Sequence, residues 1–224
     1  MKLVNKTVVF DLDGTLIDTL PDINEALKST ARRFGLKNLP IDFLRKLLSH
    51  GSRKLIESQF NFSEKKFSEK DIKSATEHFL NYYKANISSY SKLFPGILDC
   101  LDWLKNESAI ITICTNKYEK LAKQLTRDLE IDSYFSVITG SDTFKYRKPD
   151  PHHIMNTIKL ANGKLNNSIM IGDSITDFET AKNAKIPIII VGWGYSDIPA
   201  KNIGGDSFIN NGSELIQTIE KIMG

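Results

Sequence analysis

The stretch "VVFDLDGTLIDT", Val8–Thr19, decides the fold, because an apolar run of strand-forming residues ends directly in acidic ones. Asp11, Asp13 and Asp18 crowd together where a buried strand would finish. Carboxylates repel one another and resist burial, so this crowding needs an explanation. Two interpretations compete: a polar turn that ends the strand, or a site that binds a cation and handles anionic chemistry.

The composition is that of an ordinary globular chain, with 224 residues, 41% hydrophobic and 25% charged. The basic residues are scattered and the formal net charge is +3, so we expect no nucleic-acid partner. The longest apolar run, Ile186–Gly194, is too short to span a bilayer, and the N-terminus lacks a signal-peptide core. Cys100 and Cys114 have no paired spacing, which fits a reducing compartment. We therefore expect a cytoplasmic protein without a membrane partner, as a monomer or a homodimer.

Hydrophobic periodicity divides the chain into two kinds of region. From Pro21 to about Tyr90 only helical patterns occur, as in the stripe formed by Ile23, Ala26 and Leu27. Outside that segment short apolar strands alternate with helices of about ten residues or more, which implies a parallel sheet with helices on both faces. We predict an α/β fold: residues 1–19 and 91–224 form a Rossmann-like parallel sheet, and residues 20–90 form an inserted all-helical domain.

Individual elements follow from the same patterns. Strands are predicted at Thr7–Phe10, Ala109–Cys114, Phe135–Ile138, Ile169–Ile171 and Pro187–Val191. Helices outside the insert are predicted at Gly96–Lys105, Tyr118–Leu129, Pro151–Ala161, Thr176–Ala184 and Ser213–Ile222. Within the insert, Gly51 indicates the end of one helix and Ser52 the N-cap of the next, and Ser68–Asp71 resembles a capping box.

Polar clusters follow four of the predicted strands. Asp11 ends the first strand, and "TNK" (Thr115–Lys117) ends the second. "YRKPDP" (Tyr146–Pro151) comes shortly after the third, and "GDSITD" (Gly172–Asp177) ends the fourth. Ligands of open parallel sheets bind outside the carboxyl ends of the strands, so all four clusters should converge on one edge. A turn alone would not predict this agreement.

The acidic members of these clusters favour a hard cation. Asp11 and Asp173 offer carboxylates, and Asp13 adds a third source of oxygen nearby. Oxygen ligands without His or Cys favour Mg²⁺, which takes a few carboxylates together with waters and a substrate phosphate. A carboxylate nucleophile that faces a phosphate bound to Mg²⁺ forms an aspartyl-phosphate, a recognised covalent strategy.

The remaining members suit a phosphate group. Thr115, Asn116 and Lys148 supply a hydroxyl, an amide and a cation that could neutralise phosphate oxygens. Gly14 allows a tight turn in which backbone N–H groups also face an anion. We therefore treat Gly14, Thr115, Asn116 and Lys148 as candidate phosphate-binding residues.

The segments "DLDGTLIDT", "TNK", "KPDP" and "GDSITD" resemble the four motifs of the haloacid dehalogenase superfamily phosphatases, in the same order. The resemblance covers the whole α/β core, and the helical insert is similar to that family's cap. It implies that Asp11 is the nucleophile and Asp13 the general acid/base. It also implies that Mg²⁺ is held by the carboxylates of Asp11 and Asp173 and by the backbone carbonyl of Asp13.

The same resemblance assigns the surrounding groups. Thr115 and Lys148 would hold the phosphoryl oxygens, and Asp177 would lie behind the metal, bonding its waters or orienting Lys148. Haloacid dehalogenases lack the second Asp of the first motif, so Asp13 favours phosphoryl chemistry. Related β-phosphoglucomutases usually carry a His in the first cap helix, where this chain has Ile23.

The substrate should be selected by the insert, where "HGSRKL" (His50–Leu55) offers Gly51, Ser52 and Arg53 to an acidic or hydroxylated group. The alternative is a helix–turn–helix in which Arg53 and Lys54 are merely solvated. The stretch resembles the cap loop of phosphoglycolate phosphatases and of relatives that dephosphorylate N-acetylmuramic acid 6-phosphate.

We therefore predict a Mg²⁺-dependent phosphatase that hydrolyses a small phosphomonoester through an aspartyl-phosphate, with 2-phosphoglycolate as the expected substrate. N-acetylmuramic acid 6-phosphate or another sugar phosphate is the alternative substrate. A β-phosphoglucomutase-like phosphomutase and a non-catalytic phosphate-binding module stay open, and metal-dependent turnover would separate the latter from an enzyme.

Overall fold

The computed structural model describes residues 3–48 and 51–224. Its strands, in chain order, are β1 (Thr7–Phe10), β2 (Ile17–Asp18), β3 (Lys92–Leu93), β4 (Ile110–Cys114), β5 (Val137–Thr139), β6 (Ser168–Gly172), β7 (Ile188–Val191) and β8 (Ser207–Ile209). Within these residues, six strands form one sheet in the order β5-β4-β1-β6-β7-β8, and every neighbouring pair is parallel. The predicted α/β fold with a parallel, Rossmann-like sheet is confirmed.

The strand order places the site. From β1 the chain builds outward on one side through β4 and β5, and then returns to the other side of β1 at β6. Phe10, the last residue of β1, is level with Ile113 of β4 and Ile171 of β6. The crevice at such a reversal of strand order is where doubly wound sheets bind ligands. The residues after β1, β4 and β6 are therefore neighbours at one edge.

The helices run, in chain order, over α1 (Leu20–Phe34), α2 (Ile41–Arg45), α3 (Ser52–Phe62), α4 (Glu69–Ala85), α5 (Ile97–Asn106), α6 (Glu119–Asp128), α7 (Pro151–Leu160), α8 (Ile175–Ala184) and α9 (Leu215–Met223). In the insert, α4 packs against both α1 and α3, and its buried face carries Ile72, Ala75, Phe79 and Tyr83. The helices α5–α9 belong to the sheet region. No helix of the described residues is long and apolar enough to cross a membrane.

Two capping boxes fix helix starts. Ser68 at the start of α4 accepts from the Asp71 N–H while Asp71 accepts from the Ser68 N–H, as the sequence predicts. Ser174 and Asp177 make the same reciprocal pair at the start of α8. The first box is exposed and the second is buried.

The insert joins the core through two paired segments. In β2 and β3, Ile17 pairs with Leu93 and Asp18 with Lys92 in an antiparallel ladder. The buried Asp22 carboxylate accepts from the backbone N–H groups of Tyr90 and Ser91 at 2.8–3.1 Å. The division into a core of residues 1–19 and 91–224 and a helical region of residues 20–90 remains a proposal, which these tied segments support.

Most predicted elements are present with ends shifted by one or two residues, and three strands were not predicted. The strand β8 follows a glycine pair and spans three residues, while β2 and β3 span two each. The predicted N-cap at Ser52 is wrong by one residue: Gly51 holds the cap position with φ 85°, and Ser52 is the first helical residue.

Candidate active site

Asp11, the predicted nucleophile, lies at the carboxyl end of β1 and is 9% exposed. Its backbone N–H donates to the Ile171 carbonyl at 2.9 Å, which fixes it beside the end of β6. Burial raises the pKa of its carboxyl to about 6, with the Lys148 ammonium opposing this and Asp177 adding to it. The carboxylate is thus held partly desolvated, which suits a nucleophile more than a solvated turn residue.

Lys148 is buried and bridges two carboxylates. Its Nζ lies 2.9 Å from Oδ1 of Asp11 and 2.6 Å from Oδ1 of Asp177. Burial alone would lower the pKa of Lys148, but the attraction of Asp11 and Asp177 outweighs it, so the net shift is upward. Although Lys148 lies in a loop, it is not solvated, because its side chain is 1% exposed.

Asp177 uses both of its oxygens within the protein. Oδ1 accepts from Lys148, and Oδ2 accepts from the Asp173 and Ser174 N–H groups at 3.2 and 3.1 Å and from the Ser174 hydroxyl at 2.7 Å. The resemblance offers Asp177 two roles, to bond waters of the metal or to orient Lys148. The direct contact with Lys148 supports the second role. The first turn of α8 therefore holds the lysine in place.

Asp173 ends β6 beside Asp11 and is buried. Oδ1 accepts from the Thr15 hydroxyl at 2.9 Å, and Oδ2 accepts from the Tyr195 N–H at 2.7 Å. Burial, followed by repulsion from Asp177 and Asp11, raises the pKa of Asp173 to about 8. A Cβ on Gly14, whose φ is 83°, would lie 2.6 Å from Oδ2 of Asp173, so glycine is required there.

The acidic cluster fits a cation. Carboxylate oxygens of Asp11, Asp173 and Asp177 lie within 4.8 Å of one another. Asp177 is the most engaged of the three, with Lys148 on one oxygen and three donors on the other, whereas each Asp173 oxygen accepts one hydrogen bond. Burial is the main cause that raises the pKa of both the Asp11 and the Asp173 carboxyl, so a cation bound beside them would favour their charged forms. Carboxylate oxygens alone are the donor set of a hard divalent cation, so the cluster is a metal-site candidate.

Asp13 faces a lysine that the sequence analysis did not assign. Lys117 Nζ lies 2.8 and 3.0 Å from the two Asp13 carboxylate oxygens and 4.7 Å from the centre of the Tyr83 ring. Burial would lower the pKa of Lys117, yet Asp13 outweighs it and the net shift is upward. The signal was available, because Lys117 belongs to the "TNK" cluster that follows β4.

Thr115 and Asn116 make hydrogen bonds with backbone groups of the neighbouring segments. The Thr115 hydroxyl accepts from the Lys117 N–H at 3.2 Å, and its backbone N–H donates to the Thr139 carbonyl. Asn116 donates its side-chain amide to the Lys148 carbonyl at 3.0 Å. Both residues line the cavity beside the acidic cluster, as the sequence predicts.

A cavity of about 160 Å³ lies between these groups and the helical insert. The insert contributes its own wall, and the predicted Gly51, Ser52 and Arg53 all belong to it. Arg53 is already paired, since its guanidinium donates to Glu57 at 2.8 Å and to Glu69 at 2.7 and 2.9 Å. His50, the first residue of the predicted recognition stretch, lies outside the described residues.

Tyr195 was also missed by the sequence analysis, because nothing local marks it. Its backbone N–H holds Asp173, while its hydroxyl donates to Asp18 and accepts from the Leu20 N–H at 3.1 Å. Asp18 therefore lies in β2 as a partner of Tyr195, and the next residue, Thr19, takes the N-cap position of α1. Tyr195 connects the acidic cluster with the segment that enters the insert.

The sequence is similar to those of known proteins. Residues 8–191 match the family described as haloacid dehalogenase-like hydrolase. A phosphoglycolate phosphatase of Agrobacterium fabrum is 39% identical over 216 residues, which is 96% of this chain and 93% of that protein. A phosphoglycolate phosphatase of Mesorhizobium japonicum is 37% identical, covering 85% of this chain and 84% of its own.

The fold is likewise shared with solved structures. The crystal structure of a predicted phosphoglycolate phosphatase from Haemophilus somnus 129pt superposes with a TM-score of 0.91 at 24% identity, over 97% of this chain and 99% of that one. Its identity is low, so it speaks for the fold alone. With the family match over residues 8–191 and the 39% identity to the Agrobacterium protein, the chain belongs to the haloacid dehalogenase-like hydrolases.

Proposed function

We propose that this chain is a Mg²⁺-dependent phosphatase that hydrolyses 2-phosphoglycolate through an aspartyl-phosphate on Asp11. The observation that carries the proposal is the Asp11 carboxylate, buried against Lys148 and next to Asp173 at the floor of a small cavity. The substrate follows from the Agrobacterium and Mesorhizobium relatives, which are phosphoglycolate phosphatases at 39% and 37% identity.

The carboxylates of Asp11 and Asp173, with the backbone carbonyl of Asp13, would hold Mg²⁺. When bound, the cation supplies positive charge that compensates these carboxylates and the phosphate oxygens. Lys148 and Thr115 add a cation and a hydroxyl from the protein. Each such donor is typically worth about 10²–10³ in rate when it is removed.

In the first half-reaction an Asp11 oxygen attacks phosphorus while the bond between phosphorus and the ester oxygen breaks. The leaving alkoxide takes its proton from Asp13, a form of help worth about 10²–10⁴ in rate. In the second half-reaction a water attacks the phosphorus of the aspartyl-phosphate and gives a proton to Asp13, while the bond between phosphorus and the Asp11 oxygen breaks. Inorganic phosphate leaves, and both carboxyl groups return to their starting state.

The size of the cavity supports a small substrate. Ligand pockets for drug-sized molecules span about 300–1,000 Å³. The cavity here is about 160 Å³, which favours 2-phosphoglycolate over N-acetylmuramic acid 6-phosphate. Hydrolysis of that sugar phosphate remains the second candidate function.

Phosphate release across a panel tests the proposal. The panel contains 2-phosphoglycolate, N-acetylmuramic acid 6-phosphate, other sugar phosphates and nucleotides, each with Mg²⁺ and with chelator. Asp11→Asn is the test variant, and Asp99→Asn, the same change at an exposed residue of α5, is its control. We expect 2-phosphoglycolate to have the highest kcat/KM, and chelator or Asp11→Asn to abolish release. No release from any ester would refute a phosphatase, and isomerised sugar phosphate without release would indicate a phosphomutase.

A further inference from the structure

We propose that Lys117 is the cation that binds the second anionic group of the substrate, the carboxylate next to the ester. This inference rests on the proposed function and deepens it, since it names the residue that selects an acidic leaving group. It also assigns the one member of the "TNK" cluster that the phosphate chemistry leaves unused.

Lys117 is built into the cavity wall. Its side chain is 5% exposed, and its Nζ contacts both oxygens of Asp13 from one direction. On another side it lies over the ring of Tyr83, a buried residue of α4 in the helical insert. A lysine ammonium has three N–H donors. A carboxylate that enters the cavity beside Asp13 can therefore share this ammonium with it.

Tyr83 supplies a second donor at the same place. Its hydroxyl is buried and lies next to the Lys117 ammonium, and its O–H has no acceptor within the described residues. Buried hydroxyl groups normally have a partner, so an unmatched one that lines a cavity points to a ligand. An ammonium and a phenol O–H together match the two oxygens of a carboxylate.

The other cations near the cavity are less suited to this role. Lys148 is committed to Asp11 and Asp177. Arg53 lines the cavity, but its guanidinium is paired with Glu57 and Glu69 and its side chain is 58% exposed. Arg147 also lines the cavity and is exposed. Within the described residues, Lys117 is thus the buried cation of the cavity that is paired with a single carboxylate, that of Asp13.

The chemistry of the substrate places its carboxylate near Lys117. Asp13 must approach the ester oxygen in order to protonate it, and Lys117 Nζ is 2.8 Å from an oxygen of Asp13. In 2-phosphoglycolate a single methylene carbon separates the ester oxygen from the carboxylate. The group that receives this carboxylate must therefore lie within a few ångströms of Asp13, and a longer acid would not place both groups correctly.

Kinetics with matched substrates test the proposal. Lys117→Met removes the charge and keeps the length of the side chain, and Lys117→Arg keeps the charge. Lys120→Met is the control at an exposed position in the first turn of α6, the helix that begins two residues after Lys117. Each variant is assayed with 2-phosphoglycolate and with ethyl phosphate, which has a methyl group where the carboxylate would be.

A lost charged hydrogen bond corresponds to a loss of about 10- to 100-fold in kcat/KM. We expect Lys117→Met to lower kcat/KM by about 10- to 100-fold more with 2-phosphoglycolate than with ethyl phosphate, and this difference should lie mainly in KM. We expect Lys117→Arg to retain part of the preference, and Lys120→Met to behave as wild type. Equal losses with both esters, seen as a fall in kcat, would assign Lys117 to the positioning of Asp13 and overturn the proposal. Unchanged kinetics would also overturn it.

Binding measurements keep the proposal testable if Lys117→Met fails to fold. Calorimetric titration of Asp11→Asn, with and without the polar substitution Lys117→Gln, compares the affinity for the same two esters. A preference for 2-phosphoglycolate that persists in the double variant would overturn the proposal. Failure of the wild type to hydrolyse 2-phosphoglycolate is a separate outcome, which would refute the proposed function.

Discussion

The buried capping box at the start of α8 gives the sharpest stability prediction. Asp177→Asn changes one atom of a side chain that is fully buried and accepts from four donors. An amide has one acceptor oxygen and one NH₂ group, so it cannot serve both the Lys148 side and the Ser174 side. If its oxygen faces Lys148, the backbone N–H groups of Asp173 and Ser174 lose their acceptor.

The size of the effect follows from this count. Each buried donor left without a partner costs about 1–3 kcal/mol, and Lys148 also loses one of its two compensating charges. We expect Asp177→Asn to lower the free energy of unfolding by about 3–6 kcal/mol. The orientation of Lys148 toward Asp11 should be lost as well, so kcat should fall by about 10²–10³, the amount typical for one displaced donor.

The exposed capping box of α4 provides a matched control. Asp71→Asn makes the same chemical change in the same motif, where water can replace the lost contacts. It should cost about 0.3–1 kcal/mol, the usual value of a negative charge in the first turn of a helix. Urea unfolding of wild type and both variants, in Mg²⁺ and in chelator, measures the three values. Equal costs for the two substitutions would refute the reasoning.

Three further substitutions test other parts of the structure. His153 is buried, accepts from the Lys148 N–H at 3.2 Å, and has its pKa lowered by burial from 6.5 to about 4. As pH falls from 6.5 to 4, the unfolded chain binds a proton at His153 that the native state resists, so the free energy of unfolding of wild type should fall by about 3 kcal/mol relative to that of His153→Gln. A difference between the two proteins that stays constant with pH in urea unfolding would contradict this. Tyr195→Phe keeps the N–H that holds Asp173 but removes the hydrogen bonds of the hydroxyl to Asp18 and Leu20, so the free energy of unfolding should fall by about 1–3 kcal/mol. A fall of less than about 0.5 kcal/mol would show that these hydrogen bonds do not stabilise the fold. Gly14→Ala would press a methyl group against Asp173 and should raise the Mg²⁺ concentration for half-activation at least tenfold (about 1.4 kcal/mol). Gly35→Ala, which also has a positive φ but would meet only the Lys65 ammonium at 3.5 Å, should leave that concentration unchanged.

The architecture could be predicted from the sequence because the end of a strand is a local feature. Asp11, Thr115 and Asp173 each follow a buried apolar run directly, so the rule for ligand sites in parallel sheets brings them together without any coordinates. The strand β8 was not predicted because Ser207–Ile209 is too short to show the alternation of a strand. The strands β2 and β3 exist only because the chain leaves and re-enters the core at adjacent points.

The sequence predicted which residues form the site, but not which of them contact one another. The motif indicated Asp13 and Lys148, but not that Lys117 faces Asp13 across 104 residues of chain. Tyr195 lies 22 residues beyond Asp173 in a segment without a recognisable pattern, yet its N–H fixes that carboxylate. Such contacts depend on how loops from different strands pack, and a single sequence contains no measure of that distance. Arg53 is the opposite case: a basic residue suits an acidic substrate, but its guanidinium already donates to Glu57 and Glu69.

The central claim is that Asp11 forms a covalent phosphoenzyme. The direct measurement quenches the enzyme during turnover of 2-phosphoglycolate with Mg²⁺, reduces acyl phosphates with borohydride, and identifies the modified residue by peptide mass spectrometry. We predict that Asp11 is converted to homoserine in a reaction that requires both substrate and Mg²⁺, and that Asp11→Asn shows neither this product nor phosphate release. Modification of a different residue, or release of phosphate by Asp11→Asn at the rate of wild type, would contradict the account.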